Sequence, residues 1–290
     1  MVLRFLSVDE KEAAQRRGYM CEHLLCFYSM TADRTALCEG GFPVYFSGYG
    51  EADLILFGLA DKREDGSRAV RELLELQIDE LNIVSPEPLE GFANIETQYV
   101  DRDYHVDVEG FDLSLKGGRY EALRYRVKQA ERKSYSSRIS REFTRSHAYV
   151  LSRHAARHTL DVWDYEELLS LERFFRDHDH GFMLEAYRGD RLIGFDVVDF
   201  FEDNKTMVVP LGVYLEEPSL ADFLTYEDLR YAKENGYRWL DVGLACRSTG
   251  LEEFKRKWFA EPKHRLCVQT IRSADHASLR AHASQHATGK

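Results

Sequence analysis

The clearest apolar rhythm in the chain runs through GFMLEAYRGDRLIGFDVVDFFEDNKTMVVPLGVYL, residues 181–215. Three apolar runs are separated there by Arg188-Gly189-Asp190 and by Glu202-Asp203-Asn204-Lys205. Both separators are hairpin chemistry, so the segment predicts three antiparallel strands. The period then changes. SLADFLTYEDLRYAKENG (219–236) predicts a helix closed by Gly236, at the position after a helix that glycine favours. YRWLDVGLA (237–245) predicts a buried strand, TGLEEFKRKWFA (249–260) a short helix and HRLCVQTIRS (264–273) a final strand. Upstream, HAYVLSRH (147–154) reads as a strand or its approach, and DYEELLSLERFFRDHD (164–179) as an amphipathic helix. A meander feeding a helical crossover implies a mixed sheet in an α+β domain, with strands 207–215 and 238–244 parallel.

The first 115 residues are less regular. PVYFSGYG (43–50), ADLILFGLA (52–60) and ELNIVSP (80–86) predict strands, SRAVRELLELQIDE (67–80) a helix, and IETQYVDRDYHVDV (95–108) a strand or hairpin. The order strand, helix, strand is compatible with a degenerate copy of the later fold, although no residue-level repeat links the halves. The tail from Ala274, rich in Ala, His and Ser, is expected to fray.

Charge adds one feature that hydropathy hides. The 290 residues carry a formal net charge of −11, yet residues 116–145 hold ten basic side chains against three acidic ones. Within that stretch a helix is predicted from about Arg119 to Lys133. Tyr120, Leu123, Val127 and Ala130 share one stripe, and Arg124, Lys128 and Glu131 share another. A concentrated basic face in an acidic chain points to a polyanionic partner. A merely solvated face is the alternative.

Composition removes several classes. With 44% hydrophobic and 31% charged residues the chain is neither disordered nor low-complexity. No apolar run approaches the roughly 18–20 residues that span a bilayer, and MVLRFLSVDEKEAAQRR turns charged too early for a signal-peptide core. A soluble, cytoplasmic protein is expected. Cys21, Cys26, Cys38, Cys246 and Cys267 form no C-x-x-C pair, so reduced thiols are expected and zinc is not. His178 with His180, and His154 with His158, lack a third ligand, so no metal is expected. No G-x-S-x-G or triad pattern supports a serine or cysteine nucleophile.

Two segments carry a family resemblance. One is LRYRVKQAERKSY (123–135) with LEAYRGDRLIGF (184–195), and the other is LDVGLACRSTGLEEFKRKWFAEPKHRL (240–266). Together they resemble the catalytic domain of bacterial phosphatidylglycerol lysyltransferases and, more distantly, the Fem-type peptidoglycan aminoacyltransferases. The resemblance covers about residues 40 to 270, and the FKRKW helix is its most specific element. It implies tandem GNAT-like domains, each a mixed, mostly antiparallel sheet flanked by helices. The expected boundaries are 1–115, a basic linking helix at 116–145, a catalytic domain at 146–273 and a flexible tail at 274–290. It also implies transfer of an amino acid from aminoacyl-tRNA to an amine or hydroxyl of a small-molecule or lipid acceptor.

The residues themselves sharpen that expectation. Coenzyme A-using GNAT enzymes place a glycine-rich turn after the fourth strand, whose N–H groups cradle the pyrophosphate. Here the turn is Leu215-Glu216-Glu217-Pro218-Ser219-Leu220-Ala221, without glycine and with two carboxylates, so coenzyme A is disfavoured. On its helix Lys255 shares a face with Leu251 and Trp258, while Lys257 points away beside Glu253. An inward ammonium suits a developing oxyanion or a departing ribose oxygen. The resemblance assigns that part to the lysine of the FK pair, and Lys257 inherits it if the register differs. Two surface lysines lying along Trp258 are the alternative.

Asp241 and Gly243 precede this helix. Asp241 is a candidate to orient an amine, or else a structural hydrogen-bonding group. Gly243 permits close approach of a ligand, and Arg247 and Trp258 are further candidate substrate contacts. Arg124, Arg126, Lys128, Arg132 and Lys133 are the candidate tRNA-phosphate contacts. Two other readings remain open at this point: an acyl-CoA-dependent N-acyltransferase of the GNAT superfamily, and a non-catalytic RNA-binding module.

Overall fold

A computed structural model of the chain describes residues 4–5, 22, 34–37, 42–46, 51–55, 63–76, 78–92, 95–158, 171–177, 181–202, 204–246 and 248–272. In chain order the strands are β1 (Arg4–Phe5), β2 (Arg34–Leu37), β3 (Pro43–Phe46), β4 (Glu51–Ile55), β5 (Glu80–Ser85) and β6 (Ile95–Asp107). They continue with β7 (Tyr135–Ser140), β8 (Phe182–Arg188), β9 (Arg191–Phe201), β10 (Thr206–Tyr214), β11 (Trp239–Leu244) and β12 (Glu261–Arg272). The helices are α1 (Arg63–Leu74), α2 (Glu121–Arg132), α3 (Arg145–His158), α4 (Leu171–Asp177), α5 (Leu220–Glu234) and α6 (Thr249–Lys257).

All the described strands belong to one mixed sheet, in the order β1-β2-β3-β4-β5-β12-β6-β11-β10-β9-β8-β7. This overturns the expectation of tandem GNAT-like domains with a sheet each: the architecture is α+β with a single large sheet flanked by helices. Periodicity along a strand reports which face is apolar but not which strand lies alongside. Nothing in HRLCVQTIRS announces that β12 stands between β5 and β6 in the strand order. Spatial clustering divides the chain into two compact units, one of 1–14, 32–101 and 264–290, the other of 15–31 and 102–263.

The first unit carries a β4-α1-β5 crossover with β4 and β5 parallel, from Glu51↔Glu80 to Ile55↔Val84. Ala69, Val70 and Leu73 of α1 pack with Val44, Leu54, Leu81 and Ile83 into its core. These are the apolar positions that predicted the elements.

In the second unit helices cover both faces of the sheet. Leu123, Val127 and Ala130 of α2 join Leu220, Leu224, Leu229 and Ala232 of α5 on one core. On the other, Val150 and Leu151 of α3 and Leu171, Phe174 and Phe175 of α4 pack on Phe195, Val197 and Val213. The β8-β9-β10 meander is antiparallel throughout. The crossover through α5 returns to β11 parallel to β10. Gly236 ends α5 at φ 75°, and the Tyr237 N–H closes on the Ala232 carbonyl at 2.9 Å. That is the left-handed helix stop its sequence predicts.

Segment 147–154 is helical, not extended. His147, Val150, Leu151 and Ala155 are buried at spacings of i, i+3, i+4 and i+8, the period of one helix face. A short apolar window fits both periods, and the helical one wins once the turn before it is included. Residues 95–107 form one long strand rather than a hairpin. His178, Asp179, His180, Arg247, Cys21, Cys26, Cys38 and the tail lie outside the described residues.

Candidate active site

The site begins where β10 and β11 separate. Their parallel ladder runs Thr206↔Trp239, Met207↔Leu240 and Val208↔Asp241. Beyond it both strands lose register with their other neighbours, β10 against β9 between Val208 and Leu211, and β11 against β6 between Asp241 and Leu244. Pro210 lies inside the first irregularity and has no N–H to donate. Gly243 lies inside the second at φ 77°, in the left-handed region that glycine occupies at low cost. Two irregular strands splaying from Asp241 open the crevice that parallel strands offer at their carboxyl ends.

Asp241 is fully buried at that fork, and its Oδ1 accepts the Gly243 N–H at 2.8 Å. Its Oδ2 lies 3.5 Å from Nε2 of His105, the residue opposite it on β6. The same His105 nitrogen is 2.7 Å from Asp103 Oδ2. Burial alone would depress the imidazole pKa, but the Asp241 and Asp103 carboxylates outweigh it and hold it up at about 10. Burial and the Asp241 charge push Asp103 up to about 7, against the lowering effect of His105. His105 is therefore an imidazolium at neutral pH, held between Asp241 and an Asp103 that titrates near 7.

Glu22 adds a third acid. It is buried, accepts a hydrogen bond from Asn204 and has Lys263 Nζ at 3.8 Å, with burial raising its pKa. Donor atoms of Glu22, Asp103 and His105 fall within 4.8 Å of one another, a spacing that suits a cation. The protonated His105 and the Lys263 ammonium already supply positive charge there. The sequence carries the signal for this cluster, since Asp101, Asp103, His105 and Asp107 alternate along one strand. Polar residues at period two on a buried strand are costly unless paired.

Lys255 reaches the same fork from α6. Ser248 caps that helix by accepting the Leu251 N–H at 3.3 Å. Lys255 is 7% exposed, and its ammonium donates to the carbonyl of Val242, between Asp241 and Gly243. Leu251, expected beside it, is 44% exposed instead. Lys257 lies elsewhere: it is ion-paired with Asp222 in the first turn of α5 and sits 4.5 Å from the Phe254 ring centroid. Trp258 is 1% exposed, stacks on Phe111 and donates its indole N–H to Asp222 Oδ1 at 3.1 Å. Its indole anchors α6 to α5 and presents almost no surface.

The basic helix turns Leu123, Val127 and Ala130 inward and leaves Arg126, Lys128 and Arg132 exposed. Those three take part in no ion pair among the described residues. Lys133 is half-buried at the helix end. Arg124 has a structural task as well, donating to the Leu115 carbonyl at 2.6 Å and the Gly117 carbonyl at 3.3 Å.

The turn between β10 and α5 uses much of its own backbone. The N–H groups of Leu215, Glu217 and Leu220 donate to Ile193, Leu215 and Glu217 respectively. Glu217 is ion-paired with Arg188 at 2.8 Å.

Two further polar networks escaped the sequence reading. Thr144 Oγ1, His147 and Glu185 form a line, with 2.8 Å on either side of the imidazole. The Thr144 N–H also donates to His147 Nδ1 at 3.0 Å, which occupies the lone pair a general base would need. This is the cap of α3, not a nucleophile. Deeper in, the Tyr214 hydroxyl donates to Asp196, which neighbours Asp228 on α5. Burial raises Asp196 to about 6, and burial together with the Asp196 charge raises Asp228 well above the ordinary carboxylate value. Of the histidines expected to lack metal partners, His154 accepts the Tyr214 N–H at 3.1 Å.

No curated protein matches the chain in sequence. Among solved structures it is similar to L-PGS from Bacillus licheniformis, 13% identical over 96% of this chain and 97% of that one, with a TM-score of 0.62. It is similar to a tandem GNAT protein from the clavulanic acid biosynthesis pathway, solved without AcCoA, 13% identical over 93% and 98%, with a TM-score of 0.58. FemX is 9% identical over 92% and 97%, with a TM-score of 0.56. At such identities these are likenesses of fold, and the fold is that of GNAT-like transferases. Among the described residues no helix is long and apolar enough to cross a membrane. The family model described as phosphatidylglycerol lysyltransferase, C-terminal, matches residues 68–280, most of the chain, and the protein belongs to that family.

Proposed function

We propose that the protein is an aminoacyltransferase that moves an amino acid from aminoacyl-tRNA to an amine or hydroxyl of a small-molecule or lipid acceptor in the cytoplasm. The observation that carries this reading is Lys255, a buried ammonium tied to the Val242 carbonyl where β10 and β11 part. That carbonyl fixes the position of the ammonium at the fork. Attack of the acceptor on the aminoacyl ester creates an oxyanion, and collapse expels the ribose 3′- or 2′-oxygen. Lys255 stabilises the charge on those oxygens. The acceptor proton passes to the leaving ribose oxygen, so the new amide or ester forms as the old ester breaks. An activated ester needs little more than positioning. Asp241, braced by the Gly243 N–H and His105, sets the polarity of the fork against which an ammonium orients. Arg126, Lys128 and Arg132, with Arg124 and Lys133 at the edges, supply the face for tRNA phosphates.

The second reading is an acyl-CoA-dependent N-acyltransferase. It is favoured by the start of α5 directly beyond the splayed strand, the place where a helix N-terminus meets a pyrophosphate. Against it stand Pro218, the internally used N–H groups of the turn and two carboxylates. Incubation with a mixture of charged tRNAs tests the first reading: loss of one aminoacyl ester above the spontaneous rate supports it. Intact esters together with micromolar acetyl-CoA binding reverse the order.

A further inference from the structure

Helix α2 carries one aromatic ring on its outer face. Leu123, Val127 and Ala130 are buried against the core, and Tyr125, on the opposite side of the helix, is 58% exposed. Its hydroxyl takes part in no hydrogen bond among the described residues. Lys128 and Arg132, three and seven positions further on, stand on the same stripe and are exposed with it. The Arg126 guanidinium lies 6.0 Å from the Tyr125 ring centroid. Glu121, one turn earlier, begins this stripe with an acid, so the cations gather on the side of Tyr125 towards the end of the helix. Arg124 is engaged with the Leu115 and Gly117 carbonyls and stays out of the group.

Arg126, Lys128 and Arg132 lack an ion-pair partner among the described residues, and a ring bordered by such cations fits one kind of polyanion better than others. A lipid surface takes up a continuous apolar face, and the apolar stripe of α2 points into the core instead. A duplex offers phosphates but keeps its base faces stacked on each other, which leaves the ring idle. A single strand offers both, phosphates for the cations and an unpaired base whose face can lie on the ring. We infer that Tyr125 is a stacking platform for an unpaired base of single-stranded RNA, with Arg126, Lys128 and Arg132 on the neighbouring phosphates. This rests on the reading of tRNA as donor and narrows it: α2 engages an unpaired stretch of the donor rather than its paired stem.

The probe is a fluorescently labelled single-stranded RNA ending in CCA, titrated into the full chain at low salt, beside an RNA duplex of equal phosphate number. The single strand should bind more tightly than the duplex. Tyr125→Ala should weaken single-strand binding roughly tenfold, the scale of one base stacked on an aromatic ring, and leave the duplex unchanged. Tyr125→Phe keeps the ring and should bind as wild type. Lys128→Gln should weaken both RNAs and lower the salt dependence of each. These side chains are exposed, so melting temperatures near wild type will show that the variants fold. Intact deacylated tRNA separates the inference from the reading beneath it. Binding of tRNA that ignores Tyr125→Ala overturns the inference and leaves the reading standing, whereas no tRNA binding by wild type overturns both. The inference is equally overturned if Tyr125→Ala weakens the duplex as much as the single strand. It also falls if phosphatidylglycerol vesicles bind in a Tyr125-dependent manner and the single strand does not.

Discussion

The ammonium of Lys255 donates to the main-chain carbonyl of Val242, thirteen positions earlier in the chain. Helix α6 and strand β11 are thereby fixed to each other at the fork in the sheet. Replacing Lys255 by Met keeps the aliphatic stem and removes the charge. Turnover with charged tRNA is expected to fall roughly 10²–10³-fold, the scale for one oxyanion donor, with tRNA affinity unchanged. Single-turnover kinetics and filter binding separate the two. Normal turnover in Lys255→Met would remove the electrostatic role assigned to it.

Asp222 receives both the Trp258 indole and the Lys257 ammonium. Asp222→Ala leaves a buried indole N–H unsatisfied, and a loss of about 1–3 kcal/mol in urea unfolding is expected. Asp222→Asn retains an acceptor for Trp258 and should lose less. Equal losses for both would place the effect in the charge on Lys257 instead.

Changing Arg126, Lys128 and Arg132 together to Gln should weaken tRNA binding and flatten its salt dependence. Each lost phosphate contact lowers the slope of log K against log salt by about 0.7–0.9. A salt series on wild type and variant checks this. Superimposable lines would make α2 a solvated face.

The imidazolium at His105 gives a pH dependence with a definite sign. Its folded pKa, about 10, lies above the ordinary 6.5. The stability it contributes is fully present below about pH 6.5 and is lost as pH rises through about 10. Asp103, also raised, completes its own change by about pH 7. Between pH 7 and 10 the network should therefore cost up to about 1.4 kcal/mol per pH unit. Chemical denaturation across that range measures the slope, and His105→Gln should flatten it. A flat wild-type profile would mean that His105 is neutral.

The crossover, the meander, the basic helix and the short α6 were legible because each is written in one local period with its own stop signal. Gly236 and the Gly189 turn are the clearest cases. Helix α3 was not, because eight residues around Val150 and Leu151 satisfy more than one period. The single sheet was not legible either, since partner choice depends on residues far apart in sequence. At the site, the inward turn of Lys255 followed from its spacing to Trp258, whereas the exposure of Leu251 did not. The Asp103–His105–Asp241 cluster joins two strands more than a hundred residues apart. Only the unusual alternation of acids along β6 hinted at it. Asp241 was singled out for its place on β11, but its imidazolium neighbour required the fold.

The place of β12 beside β5 has a consequence for biosynthesis. Thr270 reaches Asn82 across 188 positions of chain, with Val268 opposite Val84 in the same ladder. While the ribosome is still making the intervening residues, β5 has an open hydrogen-bonding edge next to the apolar side chains of Leu81 and Ile83. An open edge of that kind is the template for wrong pairing between chains. The nascent protein is therefore exposed to wrong pairing while the residues between β5 and β12 are made, and the interval ends only when residues 267–272 clear the exit tunnel.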